Sequence, residues 1–342
     1  MKRIFPLFFL LLLLCGCGGA ATQSNKETAT VYAMDTVMTL TAYAAENGAE
    51  YAAGAALEAA ESEILRLEKM LSVTDEDSEI YRFNQGDQEA LSIEAARLAA
   101  IALGYAEKTA GAYDPTVYPL MGLWGFYGEE PAVPEKGALD EALSRVGYDR
   151  ATIVDRRVSL PEGFGLDLGG IAKGYTAENV LYEMMASGVD TAVVSLGGNV
   201  AFMGKKPDGS SWNVLIEDPK KTGEYLGTLQ FQDSRFAQTH VVTSGGYERN
   251  FEENGVSYHH ILDTETGYPA QSGLLSVTII TGEGAMADAL STALYVMGRE
   301  KAVEFWKTSG LDFDMVLYDG QTVYVTPGVT LDSDYPVQEV AR

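Results

Sequence analysis

Apolar and polar residues alternate along this chain with two different periods, and the changes between them predict the order of helices and strands. Residues 31–43 alternate as a strand does, whereas residues 49–71 form an alanine-rich stretch with a helical period. The apolar side of that predicted helix carries Leu57, Ile64, Leu67 and Leu71. Ser92 precedes a second helical stretch that runs to about Lys108, and serine is a preferred N-cap residue.

The middle of the chain begins with an irregular stretch. Residues 111–126 contain two prolines and three glycines, so we expect a loop without regular structure. Because aromatic residues are frequent in it, this loop should pack on a flat surface. Short strands from residue 152 then lead to a helix that ends near residue 187, and residues 191–195 read as a buried strand.

Strands and turns are expected over residues 200–262, with Asp208-Gly209 and Asn254-Gly255 as hairpin signals. A further strand is predicted at residues 274–281. The remaining predicted elements are helices at 284–297 and 300–309 and a hairpin of strands 313–318 and 321–325, joined by a type I′ turn at Asp319-Gly320. Helices clustered around such strands favour an α+β fold with mixed and antiparallel sheets over a doubly wound sheet.

The N-terminus predicts where the protein is located. Met1-Lys2-Arg3 is basic and residues 4–14 are almost wholly apolar, which is too short for the ~20 residues that span a bilayer and is typical of a signal peptide. The stretch Leu14-Cys15-Gly16-Cys17 resembles a bacterial lipobox. We therefore expect a signal peptide at 1–16, lipid modification of Cys17, a flexible tether at 17–30 and an extracytoplasmic protein anchored to the cell membrane. An ordinary secretory signal is the alternative.

Composition limits the chemistry of the remaining chain. Both cysteines of the 342 residues lie in the signal region, so we expect neither a disulfide nor thiol chemistry. The formal net charge of −25 argues against nucleic acid as a partner, because no basic patch is available to release counterions. An anionic ligand would therefore need local positive groups or a metal ion.

One glycine-rich turn is suited to such a ligand. The stretch that begins at Asp167 and includes Gly170 and Lys173 runs from an extended segment into a helix. Glycines allow close approach of the backbone, and the first N–H groups of a helix favour phosphate. Glycine-rich helix starts are common, so a purely structural role remains the alternative.

Asp288 and Thr292 stand four residues apart, so on a helix their oxygens lie on one face. A carboxylate and a hydroxyl suit Mg²⁺, which takes its remaining ligands from water and substrate phosphates. Alternatively, Asp288 supports the first turn of the helix and Thr292 bonds back to the helix backbone.

Two of the three histidines, His259 and His260, are adjacent and should point to opposite faces of a strand, so one of them could act as a general base. A structural histidine is equally compatible with the sequence, and a zinc pair is disfavoured because a third ligand is missing.

Thr243 and Ser244, followed by glycines, could donate to phosphate with Arg249 supplying charge, although a tight turn explains the same residues. No nucleophile elbow is present.

These segments, taken in order, resemble the ApbE-like FAD:protein FMN transferases, which are extracytoplasmic lipoproteins. The resemblance covers residues 31–325. It is carried by Met34-Asp35-Thr36, Tyr113-Asp114-Pro115-Thr116-Val117 with Leu123-Trp124-Gly125-Phe126, Asp167–Gly174, Leu196-Gly197-Gly198-Asn199, Thr243–Arg249, His260–Asp263 with Thr266-Gly267, and Ala287–Thr292.

The resemblance implies a T-fold-related architecture and Mg²⁺-dependent transfer of FMN from FAD to a threonine or serine hydroxyl of an acceptor flavoprotein, with release of AMP. It places the transferase domain at residues 31–328 and a C-terminal tail at 329–342. It assigns the metal to Asp288, Thr292 and the Gly170 carbonyl, and catalysis to Asp288 and to His260 as base. The residues that it implies in FAD binding are Met34, Thr74, Trp124, Gly125, Phe126, Asp167, Lys173 and Ile261.

Three residues depart from the family pattern: Asp35 replaces a glycine, Thr74 a tyrosine and Asn199 an aspartate. They affect the expected flavin and adenine contacts and leave the metal ligands unchanged. Two other functions remain open, namely a pyrophosphatase that splits FAD into FMN and AMP, and a flavin-binding lipoprotein without catalysis.

Overall fold

The computed structural model describes residues 26–43, 50–88, 90–128, 130–154 and 157–341. The helices are α1 Glu50–Leu71, α2 Glu79–Gln85, α3 Ile93–Lys108, α4 Tyr118–Leu123, α5 Lys136–Leu143, α6 Gly169–Ala186 and α7 Gly284–Thr308. The strands are β1 Lys26–Ala33, β2 Thr36–Tyr43, β3 Thr152–Val154, β4 Arg157–Ser159, β5 Thr191–Leu196, β6 Asn199–Met203, β7 Trp212–Glu217, β8 Tyr225–Phe231, β9 Gln238–Gly245, β10 Asn250–Glu253, β11 Val256–His259, β12 Ser276–Thr281, β13 Phe313–Tyr318, β14 Val323–Val325, β15 Leu331–Asp332 and β16 Val337–Glu339. Over these ranges, no helix is both long and apolar enough to span a membrane.

A nine-stranded sheet in the order β1-β2-β5-β6-β9-β12-β13-β14-β16 organises the molecule. Its neighbouring strands are antiparallel except for β14 and β16, which are parallel. A smaller sheet has the order β15-β8-β7, and β10-β11 and β3-β4 form separate hairpins. The predicted α+β class with mainly antiparallel sheets is therefore confirmed.

The large sheet is buried on both faces, because successive side chains of a strand point to opposite sides. Val194 and Ile279 pack under the helices, whereas Val241 and Ile280 pack against the β15-β8-β7 sheet. This arrangement explains why β5, β9 and β12 are buried along most of their length. The helices and the small sheet thus form the outer two layers of a three-layer structure.

Helices α6 and α7 contact each other through glycine. A Cβ placed on Gly174 would lie 2.0 Å from the carbonyl oxygen of Gly284, and one on Gly284 would lie 2.1 Å from the carbonyl oxygen of Gly174. The two backbones therefore touch without side chains between them. This contact places Asp288 of α7 beside the first turns of α6.

We expect Gly174→Ala to lower the free energy of unfolding by at least about 1–3 kcal/mol, because the added methyl group has no space between the helices. Gly104→Ala in the interior of α3 is the matched control, since a Cβ there has no neighbour within 4 Å. That change should be neutral or stabilising by up to about 1 kcal/mol. Denaturant unfolding monitored by circular dichroism would measure both, and equal stability of the two variants would contradict the proposed backbone contact.

The structure corrects several boundaries near the N-terminus. Residues 31–43 form a hairpin and not one strand, because Met34 and Asp35 turn the chain with φ of 50° and 58°. The described part of the expected tether, Lys26 to Thr30, belongs to β1, so the folded domain begins earlier than predicted. The expected signal peptide and Cys17 lie outside the described residues.

Other corrections concern the loops and the C-terminus. The aromatic loop contains the short helix α4, which has Pro119 in its first turn. Asp208-Gly209 connects β6 to β7 in a different sheet and makes no hairpin, and β13 and β14 are joined by a four-residue loop in place of a type I′ turn. Residues 329–342 are not simply a tail, since β15 and β16 pair with β8 and β14.

Candidate active site

A single open cavity of about 1830 Å³ collects most of the predicted site residues. Its wall is built from the β1–β2 turn, the end of α1, the aromatic loop, the start of α6, the end of β9 and one side of α7. The predicted residues that line it are Met34, Thr74, Gly125, Phe126, Asp167, Gly170, Lys173, His260, Ile261, Asp288 and Thr292. The sequence therefore identified residues that converge from distant parts of the chain.

Trp124 is the predicted residue that the structure does not place at this wall. Its ring is fully buried, and its indole N–H donates to the Gly267 carbonyl at 2.8 Å. It stacks behind Phe126, with the ring centroids 6.2 Å apart. The expectation that Trp124 packs on the flavin or adenine is thus corrected: it supports Phe126, which does face the cavity.

Met34, which also lines the cavity, is held by two hydrogen bonds. Its backbone N–H donates to a carboxylate oxygen of Glu68 at 2.5 Å, and its sulfur accepts from the Thr176 hydroxyl at 3.8 Å. Left-handed backbone conformations are rare for residues other than glycine, asparagine and aspartate. Met34 has such a conformation, and the hydrogen bond from its N–H to Glu68 of α1 stabilises it.

Asp167 organises the entrance to α6. One of its carboxylate oxygens accepts from the Gly169 N–H at 2.7 Å, and the other accepts from the Tyr127 hydroxyl at 2.6 Å. Burial raises the pKa of Tyr127 well above its ordinary value, and the neighbouring Asp167 raises it further, so the phenol stays protonated and donates. Sequence reasoning missed Tyr127, although it directly follows the aromatic motif.

Asp288 and Thr292 lie where α7 meets the start of α6. A carboxylate oxygen of Asp288 accepts from the Gly174 N–H at 2.8 Å. Thr292 is adjacent to Gly170, since a Cβ on that glycine would lie 3.9 Å from the threonine hydroxyl oxygen. The hydroxyl of Ser244 is 2.7 Å from that of Ser291 and 3.5 Å from that of Thr292. A carboxylate and several hydroxyl groups therefore lie together beside Gly170 at the start of α6.

This donor set fits a hard divalent cation. Burial raises the pKa of Asp288, and the nearby Lys173 ammonium opposes that shift. A nearly buried carboxylate is stabilised by a positively charged partner, because burial of an unpaired charge is costly. Within the described ranges, no group of three or more His, Cys, Asp or Glu side chains could hold a metal ion. A cation here would need further oxygen ligands from water or a phosphate, as Mg²⁺ commonly takes.

The two adjacent histidines point to different sides of the chain, as predicted. His259 contacts the Ala270 carbonyl and the Tyr295 hydroxyl through Nε2, away from the cavity. His260 lines the cavity, and its Nδ1 lies 3.2 Å from the Arg249 carbonyl oxygen. A carbonyl only accepts, so Nδ1 carries the proton and Nε2 keeps a lone pair.

Burial lowers the pKa of His260 to about 3, and the positive charges of Arg249 and Lys173 lower it further. His260 is therefore neutral near pH 7, which a proton acceptor must be. Its ring meets Phe126 edge-on, with centroids 6.5 Å apart, so the aromatic loop also contacts this imidazole.

Two charged residues after β9 complete the site. Arg249 lies 3.6 Å from the Asp35 carboxylate of the β1–β2 turn and donates to the Phe126 carbonyl at 3.4 Å. Burial raises the pKa of Glu248 to about 7, while Lys173 lowers it. Glu248 lines the cavity but was missed, although it stands inside the segment that ends at Arg249. Ser244 also reaches the cavity, as its phosphate-donor interpretation requires.

Comparison with known proteins identifies the family of this architecture. Residues 34–316 match the model of the ApbE family. The chain is 34% identical over 316 residues to the FAD:protein FMN transferase of Treponema pallidum, covering 86% of this chain and 85% of that protein. It is 33% identical over 261 residues to the Haemophilus influenzae protein of the same name, covering 72% and 74%.

Solved structures agree. A crystal structure of the ApbE protein of Thermotoga maritima matches with a TM-score of 0.77 at 31% identity, covering 90% of this chain and 96% of that one. The apo flavinyl transferase ApbE of Pseudomonas stutzeri matches with a TM-score of 0.73 at 29% identity, covering 91% and 95%.

Proposed function

The chain belongs to the ApbE family, and from this premise we propose that it is an FAD:protein FMN transferase. It would move the FMN half of FAD to a threonine or serine hydroxyl of an acceptor flavoprotein and release AMP. The observation that carries this proposal is the convergence of Asp288, Thr292, Gly170 and Lys173 on one wall of the large cavity. These groups suit a diphosphate in a protein that is otherwise strongly acidic.

We propose Mg²⁺ as the metal, held by the Asp288 carboxylate, the Thr292 hydroxyl and the Gly170 carbonyl. When bound, Mg²⁺ neutralises charge on the diphosphate and on the leaving phosphate. Lys173 would add a second positive charge at the same place. Phe126, supported by Trp124, would contact a flavin or adenine ring through the part of its side chain that reaches the cavity, and this contact would help to fix the position of the dinucleotide.

The transfer itself would use His260 as base. The acceptor hydroxyl attacks the phosphorus of the FMN half and forms a new P–O bond, while its proton passes to Nε2 of His260. The bond between that phosphorus and the bridging oxygen breaks, and AMP leaves with the bridging oxygen and its electron pair. The protonated His260 then releases its proton to solvent, which returns the base to its neutral form.

We also propose that the protein is a lipoprotein on the outer side of the cell membrane, anchored through Cys17. The basic start, the short apolar stretch and the lipobox-like residues support this location. Metabolic labelling with a clickable fatty acid would test it, with Cys17→Ala as control. Labelling of the variant would contradict the assignment.

Mass spectrometry of a candidate acceptor subunit tests the function directly. After incubation with the enzyme, FAD and Mg²⁺, the acceptor should gain the mass of one esterified FMN on a threonine or serine, with one AMP released per FMN attached. Omission of the acceptor should suppress AMP release. Fast AMP release without any acceptor would instead indicate a pyrophosphatase, and FAD binding without AMP formation would indicate a carrier.

A further inference from the structure

One side of the cavity carries none of the residues expected to bind FAD. It includes seven consecutive lining residues, and the first six are here called the β7 wall: Asn213, Val214, Leu215, Ile216, Glu217 and Asp218. The cavity volume of about 1830 Å³ also exceeds the ~300–1,000 Å³ of pockets that hold one small ligand. A transferase with two substrates needs this additional space.

The β7 wall is an edge and not a face of its sheet. Side chains along β7 alternate between buried and exposed, with Val214 and Ile216 buried and Leu215 exposed. Residues from both faces nevertheless line the same cavity, which is possible only where the cavity follows the strand edge. Among the described residues β7 pairs only with β8, so its other edge is available for pairing.

Charge disfavours a dinucleotide at this wall. Its ionisable residues are Glu217 and Asp218, whereas the described cations that line the cavity, Lys69, Lys173 and Arg249, belong to other elements. The neighbouring Lys220 and Lys221 are engaged elsewhere, with the Gly320 carbonyl and the Glu224 carboxylate respectively. A phosphate group would find no positively charged partner on this wall. An uncharged or basic polypeptide segment would not be repelled by its two carboxylates.

We propose that an extended segment of the acceptor protein pairs with the free edge of β7 and thereby carries its threonine or serine to the reactive phosphorus. This inference rests on the proposed transfer reaction and adds the way in which the acceptor is bound. Backbone pairing with a sheet edge gives affinity for an extended segment, and contacts with alternate side chains give its specificity. Leu215 and Tyr225, exposed by 49% and 55%, would contact side chains of that segment. In-line transfer requires the hydroxyl and AMP on opposite sides of the phosphorus.

Leu215→Asp tests the surface. The probe is a library of short synthetic peptides, each with one central threonine and randomised flanks. For peptides that the wild type labels with FMN, Leu215→Asp should raise KM by roughly tenfold, because a charged residue replaces a cross-strand apolar contact. FAD affinity, measured by flavin fluorescence, should be unchanged. Val37→Asp is the matched control, since Val37 is 61% exposed on a strand and does not line the cavity.

Backbone methylation of the best peptide tests the pairing itself. N-methyl groups placed one at a time should reduce labelling by roughly tenfold or more at alternate positions and have little effect between them, because only every second N–H faces the β7 edge. A flat methylation scan, an unchanged KM in Leu215→Asp, or labelling of folded acceptors but of no peptide would each overturn the inference. A wild type that attaches FMN to neither would instead refute the transferase function.

Discussion

Asp288→Asn should lower the rate of FMN transfer by about 10³-fold or more, with the fold retained. The amide oxygen can still accept from the Gly174 N–H, so the contact between α6 and α7 is kept. The substitution removes the negative charge that a divalent cation requires at this buried position. Loss of the metal would leave the charge on the diphosphate and on the leaving AMP uncompensated. Stabilisation of that charge is among the largest contributions to the catalysis of such reactions.

Single-turnover transfer at increasing Mg²⁺ concentration would measure this effect, and thermal unfolding would verify the fold. Glu300→Gln is the matched control, because Glu300 lies on the same helix with its side chain 90% exposed. That variant should behave as wild type. If Asp288→Asn kept the wild-type rate and Mg²⁺ dependence, the metal assignment would be wrong.

Local features of the fold were predictable because their causes lie within a few residues. Ser92 accepts from the Ala95 N–H and begins α3 as an N-cap should. Asn254 and Gly255 take positive φ and close the β10–β11 hairpin with a two-residue turn. Gly298 interrupts α7 with φ of 77°, close to the boundary expected between two helices.

Features that depend on distant contacts were not predictable in this way. Met34 and Asp35 carry no glycine signal, so the split of β1 from β2 depends on the contact with Glu68. The sequence around Trp124 predicts an aromatic residue that faces a ligand. Only the hydrogen bond to the Gly267 carbonyl shows that its ring belongs to the core. Alternation along β7 indicates which side chains are buried, but it cannot show which edge of the strand remains unpaired.

The site shows the same division. Four-residue spacing placed Asp288 and Thr292 on one face, and glycine content marked the start of α6. That these two elements meet depends on the backbone contact between Gly174 and Gly284, about 110 residues apart in sequence. The proton position on His260 follows from the Arg249 carbonyl, a contact that adjacent histidines in a sequence do not reveal.

His260→Gln should slow FMN transfer by about 10²–10⁴-fold without weakening FAD binding, as removal of a general base does. Glutamine retains an amide that can donate to the Arg249 carbonyl, but it cannot accept a proton near neutral pH. Rapid-quench measurement of acceptor-bound flavin would give the rate, and fluorescence titration would give the affinity for FAD. His259→Gln, outside the cavity, is the matched control and should transfer at nearly the wild-type rate.

The pH dependence of the same pair of proteins distinguishes a base from a structural residue. Because the pKa of His260 is lowered to about 3, its imidazole is already neutral throughout the range from about pH 5 to pH 8. The ratio of the wild-type rate to the His260→Gln rate should therefore stay constant across that range, because the effects of other titrating groups cancel in the ratio. A ratio that falls as the pH is lowered through about 6.5 would show an ordinary histidine pKa. Equal rates for the two proteins would remove His260 from the proton transfer altogether.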